Sequence, residues 1–236
     1  MPGKFERAIV VGASSGIGRA IAQQLAASGC EVACVARRAE PEGERLRCYP
    51  HDVTHYSEVP ELFQRICHDL GGLDVIFYAS GVMPAVGADE FTFEKDQQMV
   101  DVNILGAIAW LNEAAARFGA EGRGTLVGIG SVAGDRGRAP KPVYGATKAF
   151  LDTYLESLRN RLGTKGVKIV TIKPGPIDTP MAVDHAGKKL PVDEAARQIV
   201  AAARAGKRVA YVPGLLKFVF GIIKSLPSPV MQRLKF

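Results

Sequence analysis

Short runs of apolar residues alternate with helical patterns along most of the chain. Seven of these runs predict β-strands, and most are continuously apolar, which is typical of strands that are covered on both faces. The predicted strands cover residues 7–11, 31–35, 46–49, 73–78, 125–129, 167–172 and 208–212. Between them, apolar residues recur at helical spacing, and this pattern predicts helices at 16–28, 57–69, 93–118, 143–163 and 193–205.

The alternation of strands and helices predicts the fold class. Repeated strand–helix units form parallel sheets with right-handed crossovers and with helices on both faces. We therefore expect an α/β fold, a doubly wound parallel sheet of about seven strands. The 236 residues contain no internal repeat or linker between 1 and 213, so one domain is expected there, with residues 214–236 as a C-terminal tail.

The composition narrows the class of protein and its compartment. Apolar residues make up 47% of the chain, which argues against wholesale disorder, yet no apolar run reaches the ~18–20 residues of a membrane-spanning helix. The four cysteines include no C-x-x-C pair and have no metal-ligand spacing with the four histidines. Since no secretory signal pattern begins the sequence, we expect a reduced cytoplasmic protein without a bound metal.

The net charge of +6 is concentrated in the C-terminal part of the sequence. Residues 195–236 contain eight of the 30 Lys and Arg residues and none of the 24 Asp and Glu residues. The remainder therefore carries 22 basic and 24 acidic residues and is close to neutral. A neutral body without a basic, aromatic-interleaved stripe argues against nucleic-acid binding, and any affinity for anions or membranes is expected at the tail.

A glycine-rich loop follows the first predicted strand and opens the first predicted helix. It reads GASSGIG over residues 12–18, in the position that dinucleotide-binding loops occupy. Glycines permit a tight turn and a close approach of backbone N–H groups to a pyrophosphate, which the N-terminus of the helix also attracts. This arrangement predicts a Rossmann-type dinucleotide site. Its expected contacts are Gly12, Ser14, Ser15, Gly16, Ile17 and Gly18.

The end of the second predicted strand indicates which nicotinamide cofactor is bound. NAD-binding sites place an acidic side chain there, which accepts hydrogen bonds from the ribose 2′-hydroxyl. This chain instead has Ala36 followed by Arg37 and Arg38. A guanidinium at that position forms charge-assisted hydrogen bonds with a 2′-phosphate, so the sequence predicts NADP(H) in preference to NAD(H).

Tyr144 and Lys148 form a candidate acid–base pair at the start of a predicted helix. Side chains at i and i+4 share one helical face, about 5–6 Å apart at Cβ. The lysine ammonium favours the phenolate and is expected to move the tyrosine pKa from ~10 toward the working range. Ser131, at the end of a predicted strand, could hydrogen-bond a substrate carbonyl and the negative charge that develops on it.

Together these motifs resemble the short-chain dehydrogenases/reductases. The resemblance is collinear over about residues 5–213, and its elements are the 12–18 loop, Asp52-Val53, Val102-Asn103, Ser131, the YGATK segment at 144–148, and Pro174-Gly175 with Thr179. It implies a seven-stranded parallel sheet that holds NADP(H) at the carboxyl ends of its strands. It also implies an oxidoreductase that transfers hydride between nicotinamide and a ketone, aldehyde or secondary alcohol.

The resemblance assigns the catalytic roles residue by residue. Tyr144 would be the general acid/base that protonates the carbonyl oxygen. Lys148 would bind the nicotinamide ribose hydroxyls and depress the pKa of the tyrosine. Ser131 would orient the substrate carbonyl, and Asn103 would hold a water molecule in a proton relay.

The same resemblance implies further cofactor contacts. Asp52 and Val53 would contact the adenine side, and Gly81 would allow the cofactor to approach. Arg37 matches the position where NADP-preferring members carry a basic residue. The turn that follows the sixth strand would hold the nicotinamide amide through Pro174, Gly175, Ile177 and Thr179.

Two departures from the family pattern concern the centre of the sheet. Val11 replaces the usual threonine before Gly12, and Tyr78-Ala79-Ser80-Gly81 replaces the usual Asn-Asn-Ala-Gly after the fourth strand. In the family, that threonine and an asparagine of the second motif brace each other across the central strands. Since both are replaced together, we expect a different structural brace here rather than lost chemistry.

Apolar and basic residues are expected around the substrate. Met83 and Met181 fall in loops beyond strand ends, where they either line an apolar substrate pocket or pack only within their loops. Arg136, Arg138 and Lys141 lie just before the YGATK segment. They either attract an acidic or phosphorylated substrate or form a solvated loop.

The tail pattern predicts a short amphipathic helix at 215–226, which Pro227 and Pro229 end. A helix of this length cannot span a bilayer. Three roles remain open: a helix packed on the core or over the substrate site, a subunit interface, or a peripheral contact with the inner face of a membrane. The tail combines basic and apolar residues without acidic ones, and this composition favours the membrane contact.

The sequence therefore predicts an NADPH-dependent carbonyl reductase, or an alcohol dehydrogenase in the reverse direction, with an apolar substrate. Two alternatives remain: an NADPH-binding regulatory or partner-binding protein without turnover, and a membrane-peripheral reductase of lipid-like carbonyls. The intact set of Asn103, Ser131, Tyr144 and Lys148 argues against the first alternative. From the family, a homodimer or homotetramer is expected, with the helices at 93–118 and 143–163 in the interface.

Overall fold

The structure, a computed structural model, describes residues 3–38, 43–87, 89–183 and 185–234. Within them, seven strands form one sheet in the order β3-β2-β1-β4-β5-β6-β7, and every neighbouring pair is parallel. The strands are β1 Arg7–Val11, β2 Glu31–Ala36, β3 Leu46–Pro50, β4 Val75–Tyr78, β5 Thr125–Ile129, β6 Lys168–Pro174 and β7 Val209–Val212. The predicted doubly wound parallel sheet is confirmed, and the strand ends lie within two residues of the predicted ones.

Eight α-helices connect and follow the strands within the described residues. They are α1 Gly16–Ala27, α2 Val59–Asp69, α3 Phe93–Val100, α4 Gly106–Glu121, α5 Pro142–Leu162, α6 Val192–Arg204, α7 Leu216–Ser225 and α8 Ser228–Arg233. The helices predicted at 16–28, 57–69, 143–163 and 193–205 are confirmed, again with ends that agree within two residues.

Helices cover both faces of the sheet, because successive strand residues point to opposite sides. On one face, Ile9 and Val11 of β1 belong to a core that includes residues of α2, α4 and α5. On the other face, Ala8 and Val10 belong to a core that includes residues of α1 and α6. This double coverage explains why most of the strands are continuously apolar in the sequence.

The helix predicted at 93–118 is interrupted by a π-helical turn, Asp101–Leu105, which joins α3 to α4. Such a turn changes the spacing of the backbone hydrogen bonds. The hydroxyl of Tyr78 donates a 2.6 Å hydrogen bond to the carbonyl oxygen of Val102 in this turn. Gly106 leaves room for that hydroxyl, since a Cβ there would lie 2.6 Å from it. Tyr78 thus ties β4 to the helix and supplies a different brace from the family's threonine and asparagine.

The tail forms two short helices after β7. α7 agrees with the predicted tail helix and ends before Pro227, but α8, which the pattern did not indicate, begins directly afterwards at Ser228. Pro229 fits the first turn of α8, because its missing N–H needs no partner there. None of the helices in the described residues has the length and apolarity that crossing a membrane requires. The last two tail residues, 235 and 236, lie outside the described part.

Candidate active site

A cavity of about 1260 Å³ lies along the carboxyl ends of the strands. In open α/β sheets ligands bind at this edge, where the strand order reverses, which here is between β1 and β4. The predicted site residues in its lining are Gly12, Ser14, Ser15, Gly16, Ile17, Gly18, Arg37, Asp52, Val53, Gly81, Ser131, Tyr144, Lys148, Pro174, Gly175, Ile177 and Thr179. Two predicted residues are not in the lining: Arg38 is exposed to solvent, and Asn103 is buried.

Two glycines of the 12–18 loop are required by close backbone packing. Gly12 has a φ of 93°, and a Cβ there would lie 2.6 Å from the backbone nitrogen of Ser80. A Cβ on Gly18 would lie 2.1 Å from the carbonyl oxygen of Gly12. No side chain fits at either place. At Gly12 the reason is that the loops after β1 and β4 lie directly against each other in the cavity wall.

The N-terminus of α1 provides hydrogen-bond donors for an anion. Ser15 is the N-cap residue, but its hydroxyl makes no capping hydrogen bond in the described structure, and the first turn of α1 contains no acidic side chain. The unpaired N–H groups, the helix dipole and this hydroxyl together attract a group such as phosphate. Cγ2 of Thr179 lies 3.3 Å from where a Cβ on Gly16 would be, so the loop after β6 approaches this site closely.

The rim of the cavity beside β2 carries a positively charged side chain. Ala36 ends β2, and the Arg37 side chain that follows lines the cavity while 68% exposed. Its Nη1 atom lies 4.0 Å from Oδ2 of Asp52. Burial acts to raise the pKa of Asp52, but hydrogen bonds from the N and Oγ1 atoms of Thr54, together with the Arg37 charge, outweigh it and lower the pKa. Asp52 is therefore ionised at neutral pH and attracts the Arg37 side chain to this part of the rim.

Three candidate catalytic side chains meet at one wall of the cavity. Tyr144 and Lys148 belong to the first turns of α5, and the Ser131 side chain lies close enough to the Tyr144 hydroxyl to influence its pKa. Oγ of Ser131 also accepts a 3.0 Å hydrogen bond from the backbone nitrogen of Ala133, which fixes its orientation. Nζ of Lys148 lies 5.7 Å from the centre of the Tyr144 ring and donates a 3.0 Å hydrogen bond to the carbonyl oxygen of Ile129.

Burial is the largest influence on the protonation of these groups. It raises the pKa of Tyr144, while the hydrogen bond with Ser131 and the charge of Arg138 act in the opposite direction. Burial also lowers the pKa of Lys148 to about 8, and the carboxylate of Asp152 opposes that shift. The expectation that the tyrosine pKa is lowered is therefore wrong for this structure, because a buried phenolate loses hydration. The cation that acts on the phenol is Arg138.

Asn103 lies in the π-helical turn with its side chain bound to protein partners. Oδ1 accepts a 2.8 Å hydrogen bond from the backbone nitrogen of Val82, and Nδ2 donates to the carbonyl oxygen of Val82 at 3.0 Å. Nδ2 also donates to Oγ1 of Thr147 on α5 at 3.1 Å. Asn103 thus joins the loop after Gly81 to the helix that carries the tyrosine and lysine. Its role in a water relay stays a prediction.

A buried network of ion pairs lies next to α5, and the sequence analysis did not identify it. Lys173 of β6 pairs with Asp135 and, at 2.7 Å from Nζ to Oδ2, with Asp152. Asp135 also pairs with Lys224 of α7 at 2.8 Å and accepts a 2.8 Å hydrogen bond from the hydroxyl of Tyr211. A lysine at the buried end of a doubly covered strand is the signal that could have indicated it, since such a lysine needs buried partners.

α7 supplies an apolar wall of the cavity. Val219, Phe220 and Ile223 line it, together with Met181 from the loop after β6. One face of the tail helix therefore lies at the cavity, and the choice among the three roles expected for the tail stays a prediction. The opposite exposed positions of α7 include Phe218, which is 72% exposed.

The three basic residues before α5 have different surroundings. Arg136 donates a 3.0 Å hydrogen bond to the carbonyl oxygen of Leu226 and so holds the tail. Lys141 lines the cavity, with Nζ 3.6 Å from the sulfur of Met83. Arg138 also lines the cavity and acts on the phenol. Arg136 is therefore occupied in holding the tail, whereas the attraction of an acidic substrate by Arg138 and Lys141 stays a prediction.

Comparisons with known proteins find relatives over most of the chain. A family model described as short chain dehydrogenase matches residues 6–189. An uncharacterized oxidoreductase of Myxococcus xanthus (strain DK1622) is 35% identical over 181 residues, which cover 72% of each chain. An uncharacterized oxidoreductase of Staphylococcus aureus (strain MW2) is 32% identical over 180 residues, which cover 73% of this chain and 78% of the relative.

Solved structures share the fold. A short chain dehydrogenase from Burkholderia cenocepacia J2315 in complex with NADP has a TM-score of 0.86 over 99% of both chains, at 20% sequence identity. ElxO with NADP bound has a TM-score of 0.79 over 88% of this chain and 97% of its own, at 22% identity. At these identities the likeness concerns the fold alone.

Proposed function

The chain belongs to the short-chain dehydrogenase family of oxidoreductases, and we propose that it is an NADPH-dependent carbonyl reductase, or an alcohol dehydrogenase in the reverse direction. The observation that carries the proposal is the meeting of Ser131, Tyr144 and Lys148 at one wall of a cavity that the glycine-rich loop also lines. A protein that bound a nucleotide without turnover would have no need of a half-buried phenol close to both a serine hydroxyl and an ammonium.

The residues of the cavity fit NADP(H). Gly12 and Gly18 allow close backbone packing in the wall beside the N-terminus of α1, and that N-terminus with Ser15 suits a pyrophosphate. Arg37, beside Ala36 rather than an acidic residue, would pair with a 2′-phosphate. ElxO and the Burkholderia dehydrogenase, which share the fold, each contain NADP. When bound, NADPH supplies the hydride for the carbonyl carbon of the substrate.

Ser131 and Tyr144 would act on the substrate oxygen. The Ser131 hydroxyl, oriented by the backbone nitrogen of Ala133, would donate a hydrogen bond to the carbonyl oxygen and polarise it. The Tyr144 hydroxyl would give its proton to the same oxygen as negative charge develops there. A raised pKa keeps Tyr144 protonated at neutral pH, and the charge of Arg138 would stabilise the phenolate that remains after the transfer.

Lys148 and Asn103 would support this chemistry. The Lys148 ammonium, held by the carbonyl oxygen of Ile129, would bind the ribose hydroxyls of the cofactor. Asn103 joins the loop at Val82 to Thr147 of α5 through its side-chain hydrogen bonds. We also propose that Asn103 holds a water molecule in a proton relay. These contacts keep the acid–base pair in a fixed geometry, which bond formation at the substrate oxygen requires.

The substrate is proposed to be an apolar carbonyl compound or alcohol. The apolar wall formed by Val219, Phe220, Ile223 and Met181 supports this proposal, while Arg138 and Lys141 lie elsewhere in the lining. Apolar surface buried in such a pocket contributes roughly 25 cal/mol per Å² to binding before the entropic costs are subtracted. Affinity should therefore increase with the apolar size of the substrate until the cavity is filled.

The test of the proposed function compares Tyr144→Phe with Tyr154→Phe, a matched substitution on the same helix. The Tyr154 hydroxyl donates to Oδ1 of Asn112 at 2.7 Å and is not part of the cavity lining. NADPH oxidation is followed by absorbance with a panel of apolar ketones and aldehydes, and NADPH affinity by fluorescence titration. We expect Tyr144→Phe to lower kcat by about 10²–10⁴-fold with unchanged NADPH affinity, and Tyr154→Phe to keep full turnover.

Full turnover by Tyr144→Phe would overturn the assignment of the acid–base residue. Equal losses in both variants would show that the substitutions act through the structure of α5 rather than through a reacting hydroxyl. NADPH binding by the wild-type protein without turnover of any ketone, aldehyde or alcohol would favour the regulatory, nucleotide-binding alternative.

A further inference from the structure

Asp152 lies one helical turn after Lys148 on α5, at a spacing that places both side chains on the same face. Its side chain is only 15% exposed. A buried carboxylate costs free energy unless nearby charges or hydrogen-bond donors compensate it. The proposed mechanism does not use this carboxylate, so its place beside the lysine calls for a separate explanation.

Asp152 packs against the backbone segment that holds Lys148. A Cβ on Gly130 would lie 2.8 Å from Oδ1 of Asp152, so the carboxylate occupies space that the glycine leaves. The preceding residue, Ile129, accepts the 3.0 Å hydrogen bond from Nζ of Lys148. Carboxylate and ammonium are therefore held at adjacent backbone positions at the end of β5, where their opposite charges attract.

Lys173 holds Asp152 from the side of the sheet. Its Nζ atom is 2.7 Å from Oδ2 of Asp152, and it also pairs with Asp135, whose side chain has no exposed surface. Lys224 and the hydroxyl of Tyr211 bind Asp135 at 2.8 Å each. Because Lys173 is shared between two carboxylates, the position of Asp152 is fixed by groups from β6, β7 and α7 as well as from its own helix.

We propose that Asp152 is the positioning residue of Lys148: it keeps the ammonium charged and in place at the cavity wall, while Lys173 and Asp135 keep Asp152 in place. The role of Lys148 in this statement rests on the proposed function, whereas the contacts of Asp152 do not. The ionisable groups around the pair are Tyr144 from α5, Arg138 and Asp135 from the segment before it, Lys173 from β6, Tyr211 from β7 and Lys224 from α7.

The test is the pH profile of kcat/KM for carbonyl reduction in Asp152→Asn, Asp152→Glu and Asp74→Asn. Asp74 is the matched control, because it is 17% exposed and pairs with Arg7 at 3.0 Å. It directly precedes β4 and so lies at the amino ends of the strands, away from the cavity at their carboxyl ends. Loss of the lysine charge should end activity above about pH 8 in the wild-type protein. In Asp152→Asn we expect this alkaline decrease of kcat/KM to move to lower pH by about half a unit or more. The reason is that the lysine loses its proton more readily without the neighbouring carboxylate.

The remaining variants separate positioning from general stability. Asp152→Glu, which keeps the charge, should restore most of the wild-type profile. Asp74→Asn should leave the pH profile of kcat/KM unchanged, whatever its effect on the melting temperature. An unshifted profile in Asp152→Asn, or the same shift in Asp74→Asn, would overturn the proposal. If Asp152→Asn does not fold, the smaller Asp152→Ser takes its place, with folding checked by circular dichroism.

NADPH affinity provides a readout that does not depend on turnover. If Lys148 binds the cofactor while charged, the affinity for NADPH should fall as the pH rises through about 8, and Asp152→Asn should move this fall to lower pH. A wild-type protein that reduces no carbonyl compound but shows this shift would refute the proposed function and support the positioning role. An affinity whose pH dependence is the same in Asp152→Asn and the wild-type protein would refute the positioning role alone.

Discussion

Nζ of Lys224 lies 2.8 Å from Oδ1 of Asp135, and this ion pair joins the C-terminal helix to the segment that follows Ser131. The Asp135 side chain has no exposed surface, whereas that of Lys224 is 45% exposed. Arg136 of the same segment adds a hydrogen bond to the carbonyl oxygen of Leu226, at the end of α7. The tail helix and the segment after the proposed catalytic serine are therefore joined to each other beside the cavity.

Lys224→Met should loosen this connection. We expect the free energy of unfolding to fall by about 0.5–1 kcal/mol, as for an ion pair with one half-exposed partner, and KM for apolar substrates to rise more than KM for NADPH. Lys217→Met is the matched control, since Lys217 lies on the same helix with its side chain exposed. Urea denaturation and steady-state kinetics measure both effects. Equal effects of the two substitutions would contradict a specific role for the Lys224–Asp135 pair.

Arg37→Ala should weaken the binding of NADPH by about tenfold or more, because charge-assisted hydrogen bonds to a 2′-phosphate are lost, and should leave the binding of NADH almost unchanged. Arg38→Ala serves as the control: Arg38 follows directly in the sequence but is not in the cavity lining. Fluorescence titration with both cofactors measures the two affinities. A larger loss in Arg38→Ala, or parallel losses for NADPH and NADH, would argue against recognition of the 2′-phosphate by Arg37.

Lys148 should make the stability of the folded protein rise with pH in the alkaline range. Its pKa is about 8 in the folded protein, below its ordinary value of 10.5, because burial disfavours the ammonium. Between these two values the unfolded chain binds more protons than the folded one, so the free energy of unfolding increases with pH. Below about pH 8 both states are protonated, and the cost of burying the charge is fully present.

The substitution Lys148→Met removes this cost. We expect the variant to be more stable than the wild-type protein at neutral pH by about 1 kcal/mol or more, after the lost hydrogen bond to Ile129 is allowed for. The difference should shrink as the pH rises from 8 to 10.5. Urea unfolding at several pH values measures it, and a difference that stays constant across this range would contradict the lowered pKa.

The outer face of α7 provides a test of the membrane contact that the tail composition favours. Leu215, just before the helix, and Phe218 and Ile222 within it are 71%, 72% and 68% exposed. If this face lies on a membrane, the wild-type protein should sediment with phosphatidylglycerol vesicles, and Phe218→Ser combined with Ile222→Ser should lower the partitioning by about tenfold or more. Phe91→Ser, at a residue 91% exposed in another loop, is the control.

Two other results would assign this face differently. If no form sediments with vesicles and the double substitution converts an oligomer to a monomer in size-exclusion chromatography, the face is a subunit interface. If neither sedimentation nor oligomeric state changes, the tail acts through its inner face alone, as the wall of the cavity. Thermal melting of each variant checks that the exposed substitutions leave the fold intact.

The sequence by itself determined the features that depend on neighbouring residues. Continuously apolar runs predicted the strands, because each strand is buried under helices on both faces. The spacing of the glycines from Gly12 to Gly18 predicted a phosphate-binding turn, because the positive φ angles that Gly12 (93°) and Gly16 (53°) adopt there are a local property of the backbone. Tyr144 and Lys148 could be paired because four residues correspond to about one turn of a helix.

The tertiary structure decided which residues from distant parts of the sequence meet. Arg37 lines the cavity and Arg38 does not, although they are adjacent in the sequence. The brace between Tyr78 and Val102 depends on how the π-helical turn lies over β4. No periodic pattern encodes such meetings, because they follow from the order of the strands and from the packing of helices across the sheet edge.

The ion-pair network shows the same limit. Asp135, Lys173 and Lys224 come from three separate elements and neutralise one another only where β6, α7 and the segment before α5 converge. In the sequence each of these three residues is an ordinary charged residue. Only the structure shows that they lie together and form ion pairs with one another. The sequence therefore determined the sheet, the glycine-rich loop and the helical spacing of Tyr144 and Lys148, whereas packing alone decided the charges that surround these two residues.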